Sequence, residues 1–477
     1  MENAHDDGLS GFSITPTTIN QNQSSTSSRR GSSASQNSSN NYNISTDRIC
    51  EKSGNNSEEK KELKKTVGVI HLVAIAYFLV SAGPFGQEEA ISAGGALYCF
   101  IATCVIPIVY SLPLAMISSE QSSRLPACGG AVEWGTLLGP FMSFVNCYVR
   151  FSRSVFDNAL YPVMVCDYLN EIIPNFDKVY WLLLVVILSN LYAVVCNLFG
   201  VETVGIASVI ISIIILTPFL LFFIFGVEFM TPDRVFALYP AELGSPNLSL
   251  LLSTIIWQFS GFDTVAALSE ETQNPQRTFP LAMLITVLLV TLSYLLPTVS
   301  GVAIEPDLTK WSSGAFSGIS RKLPHCGNGW LSFWISLAGV FSSLSLLNVA
   351  LSCTGRELYA CGVINAFPFS KYFAKLQPNF KKEQAPIISI VFMSVLTIPF
   401  SLFDFSMLVE WTGLLTVIAQ VIQIAVYIVS RIPGYIEKHR KNICLRTTKL
   451  RNTIMYQSLL VLQGLVCLLN RLNRLIP

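Results

Sequence analysis

Apolar residues in this chain come in long blocks separated by short polar connections. The blocks fall at 66–92, 95–118, 139–168, 179–199, 204–228, 248–268, 279–303, 328–355, 386–403 and 407–430, with a shorter one at 454–469. Residues 278–304 and 326–355 carry no charged side chain. About 20 apolar residues in an α-helix cross the ~30 Å hydrocarbon layer of a bilayer. The pattern therefore predicts an all-α polytopic membrane protein of about eleven spans.

Composition sharpens the class. Of 477 residues, 51% are hydrophobic and 13% charged, against roughly 25% charged in soluble domains, so a soluble fold is excluded. A net charge of +1 excludes a basic nucleic-acid surface or an acidic tail as the main theme. The 12 cysteines are scattered, without a C-x-x-C pair or a Cys/His cluster, and read as small core residues. No metal or cofactor is implied. The histidines, His5, His71, His325 and His439, form no H-E-x-x-H pattern, which argues against a membrane hydrolase.

Residues 1–65 are rich in Ser, Asn, Thr and Gln. Such a segment cannot bury enough apolar surface to offset its ordering entropy, so a disordered tail is expected. It has no apolar stretch of the signal-peptide kind, and sequons such as those at Asn37 and Asn43 matter only if the tail is extracellular. Loop charge argues against that. With the tail inside, Lys60, Lys61, Lys64, Lys65, Arg124, Arg277 and the basic residues of 356–385 and 431–451 lie on the cytoplasmic side. Lys178, Arg234, Lys310, Arg321 and Lys322 lie outside. This asymmetry places the N-terminus in the cytoplasm. The expected organisation is a tail over 1–65, a ten-helix core over 66–431, and a basic linker with one short hydrophobic helix over 432–477. That last helix either spans or lies at the inner surface with Arg471 and Arg474 among headgroups.

The first block is interrupted by Gly83-Pro84-Phe85-Gly86, followed by Glu88 and Glu89. Pro removes a backbone donor and Gly tolerates non-helical angles, so a helix is not expected to run through. The sixth block has a second weak point, Phe259-Ser260-Gly261-Phe262, followed by Asp263. The two breaks open two five-helix sets of opposite topology, the arrangement that marks the substrate site of secondary transporters. Each break alone is also explained as a packing bend.

Three stretches carry a resemblance: SAGPFGQEEAISAGGAL, FDNALYPVMVCDYL and GFDTVAALSEETQNPQRTFP. They resemble the amino acid–polyamine–organocation superfamily, and within it the polyamine and amino-acid carriers of plants and trypanosomatid protists. The similarity spans roughly residues 66–431. It implies the five-plus-five inverted-repeat fold of the bacterial leucine transporter type, with discontinuous helices one and six, and a plasma-membrane location.

Charged groups at membrane depth cost at least ~2.5–3.5 kcal/mol each and need a reason. Gly83, Pro84, Phe85, Gly86, Glu88 and Glu89 at the first break, with Trp257, Phe259, Gly261, Phe262 and Asp263 at the second, are candidate substrate contacts. The acids would attract an ammonium group and the rings would give it cation–π faces; capping is the alternative role for Glu88, Glu89 and Asp263. In helix three, Arg153 and Asp157 are spaced i,i+4 and read most simply as an internal salt bridge, the alternative being that Asp157 lines the cavity. The resemblance makes Glu120, Glu271 and Glu410 candidates for gating or coupling, with Glu120, Glu270, Glu271 and Arg277 as an inner network. Helix eight departs from polyamine carriers: Ser345–Leu351 contains no acid.

The reading is a secondary active transporter of polyamines or amino acids, a cationic substrate favoured, working by alternating access and open to proton coupling. A permease for neutral or basic amino acids and a non-transporting nutrient sensor on the same fold are the alternatives. The expected partners are the small-molecule substrate and the lipid bilayer.

Overall fold

The computed structural model describes residues 63–173, 179–324 and 326–435. Most of the expected tail, and the expected helix at 454–469, lie outside the described residues.

The helices that build the core are α1 (Val69–Val80), α2 (Gln87–Ile106), α3 (Leu112–Arg124), α4 (Pro140–Ile172), α5 (Val179–Leu198) and α6 (Val201–Gly226) in the first half. The second half comprises α7 (Leu248–Gln258), α8 (Phe262–Val265), α9 (Pro275–Ile304), α10 (Trp330–Val363), α11 (Ile387–Phe400) and α12 (Phe405–Ser430). Gly95, at φ 74° and ψ −179°, breaks α2. Residues 87–94 therefore complete span one with α1, and the helix after Gly95 runs through α3 as span two. Spans three to five are α4, α5 and α6. In the second half, α7 with α8 makes span six, and α9, α10, α11 and α12 make spans seven to ten.

Packing follows a symmetry that exchanges the halves. Span two lies against seven, three against eight, four against nine, and α1 against α8. The pairs three–ten and eight–five also match under the exchange, as do one–seven and six–two. This is the five-plus-five inverted repeat. Seven of the helical segments among the described residues are long and apolar enough to cross a membrane, with α1 and α11 as shorter apolar helices. The protein is an integral, multi-pass membrane protein.

Burial separates centre from periphery. The most apolar window of α10 is 83% buried, whereas that of α6 is 28% buried, so α10 runs through the middle of the bundle and α6 faces lipid. Small residues let α10 sit there: a Cβ on Gly339 would lie 2.6 Å from the Tyr168 ring of α4. Alternate spans run in opposite directions. Residues 63–68, Arg124, Pro140, Asn274, Val363 and Arg431 therefore share one face, called here the N-terminal face. There the entering chain is tied to the end of span six, with Val67 N–H donating to Glu271 O at 3.1 Å and Gln273 N–H to Val67 O at 2.9 Å.

Candidate functional site

The breaks in spans one and six meet. In the first, Ala82, Gly83 and Gly86 take φ of 57°, 119° and 83°, angles that end the helix at Val80 and restart it at Gln87. In the second, Gly261 has φ 103°, and a Cβ there would sit 2.6 Å from Leu79 O. Glycine is required at 261 both for its angle and for this backbone approach. Helix breaks leave peptide groups without ladder partners, which is tolerated at membrane depth only if other groups satisfy them. Serines do so here. Ser342 Oγ of α10 donates to Ala82 O at 2.6 Å, and Ser260 Oγ donates to Trp257 O at 2.8 Å. Ser111, in the π-helical turn Pro107–Ser111, donates to Phe259 O at 3.0 Å.

A narrow cavity opens at this meeting point. Its walls come from both breaks (Ser81, Ser260, Gly261), from α4 (Arg153, Asp157, Tyr161), from Trp257 and Tyr294, and from Thr412 and Thr416 of α12. Asp157 accepts a hydrogen bond from Tyr161 Oη at 2.9 Å and lies 3.4 Å from Trp257 Nε1, which also donates to it. A smaller cavity, too tight to hold a water molecule and bounded by Phe262, Asp263, Gln420 and Gln423, lies on the other side of Ser260 and Gly261. The second break thus separates a larger chamber from a smaller one nearer the N-terminal face.

Toward that face the site is closed by a buried ion cluster. Asp263 Oδ2 accepts from Arg150 Nη1 at 2.7 Å and from Arg153 Nη1 at 2.8 Å. Arg150 also approaches Glu357 of α10 at 3.5 Å and bonds Asn146 Oδ1 at 3.2 Å, and Ser154 Oγ donates to Glu357 at 3.1 Å. Arg153 Nη2 donates to Thr264 Oγ1. Arg150, Arg153 and Asp263 are each no more than 6% exposed at the side chain. Two cations and two carboxylates thus hold spans three, six and eight together.

This arrangement corrects several expectations. Arg153 does not pair with Asp157. Helical side chains lean toward the N-terminus of their helix, which carries Arg153 down to Asp263, while Asp157 engages Tyr161 one turn further along. Asp263 is committed to two arginines and does not line the larger cavity. Phe85 is buried against Tyr168 and Phe219, and Phe259 against Tyr294. Phe262 faces the smaller cavity, so of the expected aromatic faces only Trp257 reaches the larger one. Gly83, Pro84, Gly86, Glu88 and Glu89 are likewise not among its walls, although a Cβ on Gly86 would lie 3.3 Å from the Trp257 ring. Glu88 is 1% exposed, and Glu89 is half-buried.

The expected inner network divides into two clusters. Glu120 pairs with Arg124 at 2.9 Å and Arg431 at 2.5 Å and accepts from Tyr427 Oη at 3.0 Å. Glu271 forms a forked pair with Arg356, and Glu270 accepts the Cys128 N–H at 3.0 Å. Glu410 is exposed on α12 rather than turned into the bundle.

Sequence reasoning missed Tyr161, Tyr294 and Glu357. The signal for Glu357 was available, as the Arg356-Glu357 pair at the end of a charge-free run. The two tyrosines had none, because an aromatic residue in a membrane helix is ordinarily a packing group.

Comparison with known proteins bears on the family and the fold. The chain is 29% identical to polyamine transporter RMV1 of Arabidopsis thaliana, over 76% of this chain and 73% of that protein. It is 27% identical to polyamine transporter PUT1 of Oryza sativa subsp. japonica, over 77% and 67%. It is 24% identical to the aspartate-proton symporter of Bacillus subtilis (strain 168), over 61% and 56%. Among solved structures, MhsT in complex with L-phenylalanine superposes with a TM-score of 0.55 at 13% identity, covering 84% of this chain and 99% of that one, which establishes the shared fold. These relatives are transporters and symporters rather than enzymes. The amino acid permease model matches residues 66–469, and the chain belongs to that family.

Proposed function

We propose that this protein is a secondary transporter that carries a small organic amine, a polyamine or an amino acid, across the membrane by alternating access. The observation that carries the reading is the cavity at the meeting of the two helix breaks, with the carboxylate of Asp157 and the ring of Trp257 on its wall. An ammonium group placed there meets a charge and an aromatic face together. Ser81, Ser260 and Gly261 supply backbone and hydroxyl groups for the rest of the substrate, and Thr412 and Thr416 complete the wall from α12. The N-terminal face is the cytoplasmic one on the loop-charge argument, and the plasma membrane is the proposed location. Residues 66–431 form the transporter core in this reading.

Arg153 on the same wall favours a substrate that also bears a carboxylate, hence an amino acid. The cation-attracting role first expected of Glu88, Glu89 and Asp263 passes to Asp157.

The test is uptake of radiolabelled putrescine, spermidine, arginine and leucine by purified protein in liposomes, each competed by the others unlabelled. Saturable uptake of a polyamine or an amino acid is the expected result. Binding without flux for the whole panel removes the carrier reading in favour of a sensor. Flux of amino acids without competition by polyamines selects the Arg153 reading.

A further inference from the structure

Among the described acids, Glu88 alone has both carboxyl oxygens buried with no side-chain hydrogen-bond partner. It lies in the first turn of the half-helix 87–94 and lines neither cavity at the break. The groups that face it are the backbone N–H groups of Gly86, Glu88 and Gly314, its neighbour Glu89, Tyr168 of α4 and Tyr294 of α9. Asp167 of α4 acts on Glu89 from the same side. The other elements against α2 supply no cation to it. The α7 helix has no charged residue, and Arg234 is held by Ala303 O at 3.0 Å. Lys310 pairs with Glu305 and Asp307, and Lys322 with Glu305.

A charge at Glu88 would be desolvated here with no counter-ion to compensate it. The helix N-terminus and the backbone N–H groups of Gly86, Glu88 and Gly314 offset only part of that cost. The neutral acid is the form that fits. The half-helix is also bounded by two hinge glycines, Gly86 at φ 83° and Gly95 at φ 74°, and Gly86 packs against Trp257 of the cavity wall.

We infer that Glu88 is the proton-binding site of the transport cycle. A proton taken from solvent on the face opposite the N-terminal one neutralises the carboxylate, and only then can residues 87–94 pack against Tyr168 and Tyr294. When the cavity opens to the N-terminal face instead, water entering from that side takes the proton, so each cycle carries it across the membrane. Proton entry and closure of the half-helix beside Trp257 are thereby one event. This rests on the carrier reading, but the protonation of Glu88 is measurable without any substrate.

The first experiment treats purified full-length protein with dicyclohexylcarbodiimide, which modifies protonated carboxyls in apolar surroundings, and maps adducts by mass spectrometry across pH. The expected result is an adduct at Glu88 whose yield falls as pH rises, with none at Glu410. No adduct at Glu88, or a yield independent of pH, overturns the inference. The second uses liposomes and the same labelled spermidine and arginine. A proton moving down one pH unit releases ~1.4 kcal/mol, enough for about tenfold accumulation. Glu88→Gln is expected to keep substrate exchange while losing that gradient-driven accumulation. Retained accumulation in Glu88→Gln overturns the inference. A wild-type protein with neither exchange nor uptake sinks the carrier reading instead, and the carbodiimide result still decides the state of Glu88.

Discussion

The two ends of the central cavity are built on opposite electrostatic plans. Toward the N-terminal face, Arg150, Arg153, Asp263 and Glu357 neutralise one another within a few ångströms, and Glu271–Arg356 and Glu120–Arg431 tie further helices together. Toward the other face the buried acid Glu88 has no counter-ion. Among the described residues, the ion pairs there lie in the connection after α9, where Glu305 meets Lys310 and Lys322. A face closed by mutual ion pairs opens only if water replaces every partner, whereas one closed around a neutral acid opens when that acid loses its proton. In the proposed cycle one end works as a latch and the other as a proton-dependent hinge.

The strongest way to break the comparison is Asp263→Asn. Removing one member of a buried ion cluster costs about 3–5 kcal/mol, because the remaining charges are left uncompensated. The expected outcome is a large drop in the melting temperature of the detergent-purified protein and in its yield of folded material. A normal melt combined with lost uptake would return Asp263 to a substrate-binding role. Asp157→Asn should separate binding from stability. A charge-assisted hydrogen bond contributes about 1.5–3 kcal/mol, so uptake should fall roughly tenfold to a hundredfold while the melt stays near wild type. An equal loss in both measurements would make Asp157 structural.

Gly261→Ala probes the hinge between the two ends. With φ at 103° and a Cβ only 2.6 Å from Leu79 O, it forces spans one and six apart, and overpacking of this kind costs about 1–3 kcal/mol. Lower thermal stability together with slower uptake is expected, and wild-type behaviour would show that the breaks separate freely.

Smaller effects sharpen the contrast. Burial raises the Glu305 carboxyl, but the bonds from Lys322 and the Asp307 N–H and the field of Lys310 outweigh it and hold the group below its ordinary value. A depressed carboxylate stabilises the folded state above its unfolded value and loses that contribution as pH falls through the carboxylate range. The wild-type melt should therefore lose up to about 1 kcal/mol on acidification that Glu305→Gln does not lose. Arg431→Ala removes a pair in which the arginine side chain is 48% exposed. Its cost should be ~1 kcal/mol or less and should vanish at high salt. A salt-independent loss would mark it as part of the latch.

The elements most legible in the sequence were those set by solvent alone. The charge-free runs of spans seven and eight are spans because lipid admits nothing else, and Gly83-Pro84 and Gly261 mark breaks because no uninterrupted helix accommodates them. The fate of charged groups was less legible. Arg153 and Asp157 share a helix face, yet the partner of Arg153 lies 110 residues away along the chain. Glu357 was passed over because it sits beyond the stretch of helix eight where an acid was sought, and its partner Arg150 is 207 residues distant.

The sequence by itself determined that this chain is a membrane protein of two five-helix sets with a break opening each. Hydrophobic length and the conformational limits of Gly and Pro are local properties, readable residue by residue. Only the tertiary structure decided which acids face the cavity, which are neutralised and which stand alone. A buried charge is stabilised by whichever group the fold brings within about 3 Å, and for Asp263, Asp157 and Glu88 that depends on helices far apart in the chain.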